Sequence, residues 1–121
     1  MADDTRVICS SSALEEGGKG VRFSVRTAEG EVPAFAVRYD GTVYAYVNRC
    51  AHVPVELDWM NGDFFDYSKL YLICATHGAT YLPENGLCVQ GPCPGKRLTA
   101  VAVEERDGQI LLLKEIQHVG K

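Results

Sequence analysis

The sequence predicts an all-β domain, a sandwich or open barrel of short antiparallel strands, and three observations predict it. Asp-Gly pairs separate stretches rich in Val, Tyr and Phe, the signature of strands reversed by tight turns. Twelve glycines and five prolines are spread along the chain instead of gathered in a linker, as many short strands joined by tight loops require. Candidate helices are few and short.

Taken in order, Ser12-Ala13-Leu14-Glu15-Glu16 has room for one helical turn before Gly17-Gly18 ends it. Val21, Phe23 and Val25 alternate with Arg22, Ser24 and Arg26, so a strand over 21–26 puts its apolar residues on one face. Glu29-Gly30 is a candidate reversal after it. Residues 32–39 and 42–47 form two strands around Asp40-Gly41, where both turn residues tolerate the positive φ of a type I′ turn. Residues 58–67 are too rich in Gly, Asn and Asp for a helix. A strand over 70–73 follows, then a turn at Asn85-Gly86, and the chain closes with a hairpin of 98–105 and 109–113 around Asp107-Gly108.

A chain of 121 residues is one domain's worth and can bury roughly two thirds of its unfolded surface in one core. The most apolar runs, 70–75 and 110–113, fall far short of the roughly 20 residues that span a bilayer, so no membrane partner is expected. The opening Met1-Ala2-Asp3-Asp4-Thr5-Arg6 is acidic and lacks the basic stretch and apolar block of a secretory signal, which makes cytoplasmic residence the expectation. A formal charge of −4 without a clustered Lys/Arg surface argues against a nucleic-acid partner. Five cysteines cannot all pair, and in a reducing cytosol they read as metal-binding or reactive.

Two of the three histidines stand beside cysteines: Cys50-Ala51-His52, then twenty-one residues, then Cys74-Ala75-Thr76-His77-Gly78. Strands 42–47 and 70–73 would deliver these pairs as two loop tips. Thiolate and imidazole together suit zinc, copper or iron. A zinc finger pairs like with like, whereas each loop here offers one of each, and a single residue between Cys50 and His52 strains closure of both onto one ion. Two irons remove that difficulty if Cys50 and Cys74 bind one while His52 and His77 bind the other. Exchanging two thiolates for neutral imidazoles also raises the reduction potential.

These residues resemble the Rieske [2Fe-2S] family, whose pattern is C-x-H, a spacer, then C-x-x-H-G. Residues 48–52 look like its first cluster loop, 74–81 like the second, and Gly91-Pro92-Cys93-Pro94-Gly95 like the proline-containing loop that covers the cluster. The resemblance implies one [2Fe-2S] cluster per chain held by Cys50, His52, Cys74 and His77, with Gly78, Ala79, Tyr81, Pro92, Cys93 and Pro94 around it. It implies a Rieske-like fold over 5–114, a cluster-binding subdomain at one tip spanning about 48–95, and a polar tail over 115–121. Ala79 stands where high-potential relatives carry a serine that bonds a bridging sulfide, and their extra loop cysteines are missing. Both losses lower the potential. Tyr81 matches a tyrosine that in high-potential relatives donates to the first cysteine's sulfur, and it would lift the potential slightly. The expectation is the low part of a range of roughly −150 to +300 mV.

Three departures stand out. The spacer is longer than usual, with the surplus assigned to 58–67; its aromatics, including Trp59, either form a contact surface or fold back over the core. His52 is followed by Val53-Pro54, which stiffens the loop. Cys93 sits between two prolines and reads as a small apolar filler, while Cys9 and Cys88 read as core residues.

By resemblance the protein is an electron-transfer component, not an enzyme: a soluble Rieske-type ferredoxin of a multi-component oxygenase, taking electrons from a flavin-dependent reductase and passing them to a terminal oxygenase. The small subunit of an assimilatory nitrite reductase type complex is the alternative within redox proteins, and a zinc-stabilised binding module is the alternative from another class. Glu56, Asp58, Asp63 and Asp66 are candidates for steering toward a basic reductase face.

Overall fold

A computed structural model describes residues 6–27, 30–49, 56–58, 62–66, 68–74, 78–91 and 95–113. Among the described residues nine strands follow one another: β1 (Arg6–Ser10), β2 (Val21–Thr27), β3 (Gly30–Tyr39), β4 (Thr42–Val47), β5 (Leu72–Ile73), β6 (Thr80–Tyr81), β7 (Cys88–Gln90), β8 (Val103–Arg106) and β9 (Gln109–Leu112), with one 3₁₀ turn at Ser11–Ala13. They form three antiparallel sheets, ordered β1-β9-β8, β2-β3-β4 and β5-β6-β7. We call these the terminal, middle and small sheets. The all-β expectation holds.

The middle sheet is a shared layer, because successive side chains of a strand point to opposite faces. Phe35 and Val37 of β3 and Tyr46 of β4 enter one buried cluster with Leu57, Phe64, Leu72, Cys74, Ala79, Tyr81 and Cys88. Their neighbours Ala34, Ala36, Ala45 and Val47 enter a second cluster with Leu14, Val25, Val101, Ile110 and Leu112. The small sheet therefore covers one face of β3 and β4, and the terminal sheet covers the other. As alternation predicts, Val21, Phe23 and Val25 all pack into the second cluster.

The turns follow the chemistry of their residues. Tyr39 pairs with Thr42 and Arg106 with Gln109, leaving Asp40-Gly41 and Asp107-Gly108 as two-residue loops with φ of 53° and 77°, and 53° and 76°. Positive φ at both positions is the type I′ condition. The Glu16 carboxylate accepts from the Asp40 and Gly41 N–H groups and holds the first hairpin to the chain ahead of β2.

Two expected strands change. Residues 98–105 do not form one strand: Val47 N–H bonds Thr99 O at 2.8 Å and Val101 N–H bonds Ala45 O at 2.9 Å, before Val103–Arg106 pairs with β9. This stretch changes sheets and joins the middle sheet to the terminal one. The strand expected at 70–73 is only Leu72–Ile73. Leu70 and Tyr71 belong instead to the bend after a turn closed by Lys69 N–H to Asp66 O, with Lys69 at φ 64°, and the Tyr71 carbonyl accepts the Asp66 N–H.

Candidate metal centre

The expected metal-binding tip is approached by three loops, and the base of each is clasped. The first leaves β4 at Asn48. Pro33 sits opposite, on β3; its carbonyl accepts the Asn48 N–H at 2.8 Å, but a proline has no N–H to return. The β3–β4 ladder therefore stops at the Ala34–Val47 pair. Asn48 then closes the loop with its side chain. Its Oδ1 accepts the Leu57 N–H at 2.8 Å and its Nδ2 donates to Asp58 Oδ1 at 3.1 Å, with Asn48 itself only 2% exposed.

The second loop leaves the end of β5. Cys74 is fully buried; its N–H donates to Ala79 O at 2.8 Å and its carbonyl accepts the Gly78 N–H at 2.7 Å. Those two bonds bring Cys74 close to Gly78 and Ala79. Gly78 has φ 74°, the left-handed region in which glycine pays no steric penalty, so the glycine of the C-x-x-H-G pattern has a backbone reason. The third loop follows β7 and is closed by Gly95 N–H to Cys88 O at 3.1 Å and Cys88 N–H to Lys96 O at 2.7 Å. Gly91 opens it at φ 107°, so close to the second loop that a Cβ there would stand 2.6 Å from Ala79 Cα.

The three bases meet in one apolar patch, since Leu57, Cys74, Ala79 and Cys88 share one buried cluster with Tyr81. A buried cysteine thiolate inside an apolar shell fits a sulfur-ligated iron centre, because that shell excludes water and sets the local dielectric. Of the residues singled out from the sequence, Cys74, Ala79 and Tyr81 are buried and Gly78 is exposed. Cys50, His52, His77, Pro92, Cys93 and Pro94 lie outside the described residues.

Cys88 is a core residue as expected, whereas Cys9 lies only at the edge of the core. Cys88 Sγ donates to Gln90 O at 3.4 Å, as a thiol does. Cys9 is half-buried against the second cluster, and burial pushes its thiol up from its ordinary value, with Arg38 opposing.

In the described part of 58–67 the two aromatics pack against the middle sheet. Phe64 is fully buried and stacks on Phe35 at 3.9 Å between ring centroids, and Phe65 stacks on Tyr39 at 6.4 Å. Both fold back; Trp59, Met60, Asn61 and Tyr67 lie outside the described residues. The four acidic residues are also less available for steering than their sequence positions imply. Glu56 pairs with Arg22 at 2.7 Å and Asp63 with Lys19 at 3.3 Å. Asp58 is buried beneath Asn48, and Asp66 accepts from the Ser68 N–H and hydroxyl.

Sequence reasoning missed the clasp at this tip: it placed Asn48 only within the first cluster loop and Asp58 only among the steering candidates, and gave Pro33 no part beyond its strand. The partners of Asn48 lie nine to fifteen positions away along the chain, and no periodic pattern marks such pairs.

With this geometry in hand, comparison with known proteins is specific. The family model for the Rieske [2Fe-2S] domain matches residues 4–115. No curated protein matches. Among solved structures, 98% of the chain superimposes on 30% of a chain from a fluorene-bound oxygenase and ferredoxin complex of carbazole 1,9a-dioxygenase, at 19% identity and a TM-score of 0.76. It also superimposes on 32% of the terminal oxygenase of carbazole 1,9a-dioxygenase from Novosphingobium sp. KA1, at 26% identity and a TM-score of 0.72. The chain thus spans about a third of those longer chains. In a complex of reduced oxygenase and oxidised ferredoxin from carbazole 1,9a-dioxygenase, 94% of it matches 96% of one chain, at 20% identity and a TM-score of 0.69.

Proposed function

Because the chain belongs to the Rieske [2Fe-2S] family, whose cofactor is one [2Fe-2S] cluster per chain, we propose that it is a one-electron carrier serving a terminal oxygenase. Cys50 and Cys74 would hold one iron of that cluster, and His52 and His77 the other. When bound, the cluster supplies a one-electron couple whose potential is higher than that of an all-thiolate cluster. The chain's own part is to bring the ligand loops together and to hold Cys74 in an apolar shell; the resemblance implies that the two imidazoles would face a partner. Gly78 and Gly91 allow the loops to close and Ala79 and Tyr81 fill the shell; by resemblance, Pro92, Cys93 and Pro94 would belong to the loop that covers it.

The observation that carries this reading is the convergence of three clasped loop bases on the buried Cys74. In the working cycle one electron enters from a reduced flavin on a reductase and one electron leaves to the oxygenase; no bond in this chain is made or broken. The oxygenase partner is supported by the likeness to a chain nearly as long as this one in an oxygenase and ferredoxin complex. The flavin-dependent reductase is the electron source that the resemblance implies, and the cytoplasmic setting rests on the acidic opening of the sequence.

Metal and sulfide analysis of anaerobically purified protein tests the reading. Two irons and two inorganic sulfides per chain are expected from a [2Fe-2S] cluster, together with an EPR signal that appears on one-electron reduction and is lost in His52→Ala and His77→Ala. One metal ion per chain without sulfide sinks it.

A further inference from the structure

We propose that Asn48 is a positioning residue for the first cluster loop, and that with the buried carboxylate of Asp58 it sets how firmly that loop holds its cluster. The inference rests on Cys50 and His52 being ligands, and adds a residue that acts on them without touching metal. Cys50 lies two residues beyond the point where β4 loses its partner strand, because Pro33 has no N–H with which to continue the ladder. From that point regular pairing no longer dictates the path of the chain. The Asn48 side chain takes over.

Its two polar ends do different work. Oδ1 accepts the Leu57 N–H at 2.8 Å, which ties the start of the loop to its end across residues 49–56. Nδ2 donates to Asp58 Oδ1 at 3.1 Å. An N–H can only donate and a carboxylate can only accept, so the amide has one satisfactory orientation and one residue type serves both partners. Asp58, whose side chain is 1% exposed, completes the set. Its Oδ2 accepts the Gly62 N–H at 3.0 Å, and Arg22 Nε lies 3.6 Å away. Arg22 also reaches Glu56 at 2.7 Å, so the far side of the loop is anchored to β2. Groups buried to this degree lose a great deal when one partner is removed, because water cannot replace it.

A chemical swap tests the proposal. Asn48→Ala removes both bonds. Asn48→Asp sets two carboxylates against each other in a buried site, which is costlier still. The double variant Asn48→Asp/Asp58→Asn restores the three hydrogen bonds of the clasp, giving up only the ion pair of Arg22 with residue 58: the new carboxylate accepts from Leu57 N–H and from the new amide, whose oxygen accepts from Gly62 N–H. Wild type is first shown to hold two irons and two sulfides per chain, so that failure of the cluster assignment is seen separately. Release of iron to a chelator, the reduction potential and the EPR g-values are then measured alongside thermal unfolding.

Release is expected to be faster by about tenfold or more in Asn48→Ala, the factor that two lost buried hydrogen bonds of ordinary strength represent. The potential and g-values should shift with it, and the double variant should return all three toward wild type. If Asn48→Asp yields no folded protein, Asn48→Ala and the double variant carry the test. Wild-type release, potential and g-values in Asn48→Ala would overturn the proposal, as would variants whose melting temperature alone changes.

Discussion

The middle sheet and the small sheet are held together in different ways. β2 and β3 pair over seven residue pairs and β3 and β4 over six, whereas β5 with β6 and β6 with β7 pair over two each. A long ladder fixes its register many times over, so single contacts in it are nearly redundant. A two-pair ladder fixes almost nothing. The small sheet gains its order from a shared buried cluster, from the carbonyl and side-chain clasps at three loop bases, and from close approaches such as Gly91 on Ala79. In such a region each contact is individually consequential. A site whose ligand loops must take one arrangement is thus built on single contacts beside a sheet built on repetition.

Phe64 joins the two regions, and removing it gives the largest effect expected. Its ring lies against Phe35 at an interplanar angle of 10°, with both residues fully buried. Phe64→Ala should lower unfolding stability by about 3–5 kcal/mol, a truncation of a packed aromatic that leaves a cavity. That is a large share of the 5–15 kcal/mol typical of a domain. Denaturant unfolding followed by circular dichroism and by cluster absorbance should show both signals moving to lower denaturant. A loss below about 1 kcal/mol would show that the small sheet docks on the middle sheet without this stack.

The same contrast decides what could be read from the sequence. The middle sheet was legible because its strands run six to ten residues with β-rich patterning and a type I′ turn joins β3 to β4. Strands of two or three residues offer no period to detect, so β5–β7 were seen only as a run at 70–73 and a turn at Asn85-Gly86. Phe64 was hidden for a related reason: it lies in a segment of Gly and Asp, and what makes it core is a ring on β3, far away along the chain. The metal motif was legible as a pattern of residue types, and one part of it now has a backbone cause in the positive φ of Gly78. The clasp by Asn48 and Asp58 was not, because its chemistry depends on which side chains meet and not on spacing.

A second variant sharpens the comparison by acting on the small sheet alone. Gly91→Ala forces a Cβ to within 2.6 Å of Ala79 Cα at a φ of 107°, so the third loop must lift from the second. The cost is about 1–3 kcal/mol of backbone strain plus the clash, and it falls on the covering loop. Iron release to a chelator should accelerate while the amide protection of β2, β3 and β4 stays as in wild type. Gly95→Ala in the same loop is the control. Its φ is 87° but nothing lies within 4 Å of the added carbon, so the effect should be smaller. Equal effects from the two would remove the Gly91–Ala79 contact from the account.

The smallest effect is expected on the opposite face, where the terminal sheet is pinned to the middle sheet by Arg38. Its guanidinium donates to both carboxylate oxygens of Glu105, at 3.0 and 2.8 Å, and to the Leu14 and Ser11 carbonyls. The bond from Arg38 holds the Glu105 carboxyl down to about 2, against 4.5 ordinarily. A carboxylate depressed in the folded state contributes stability above its unfolded value, and that contribution fades as pH falls from 4.5 toward 2. Glu105 is 35% exposed, so solvent screens the pair and Glu105→Gln should cost about 1 kcal/mol at neutral pH. Melting temperatures of wild type and variant should therefore differ at pH 7 and converge near pH 2, with the cluster's EPR signal at pH 7 identical in both. The pair lies on the redundant side of the molecule, and a variant that altered that signal would mean the middle sheet transmits strain to the loops instead of insulating them.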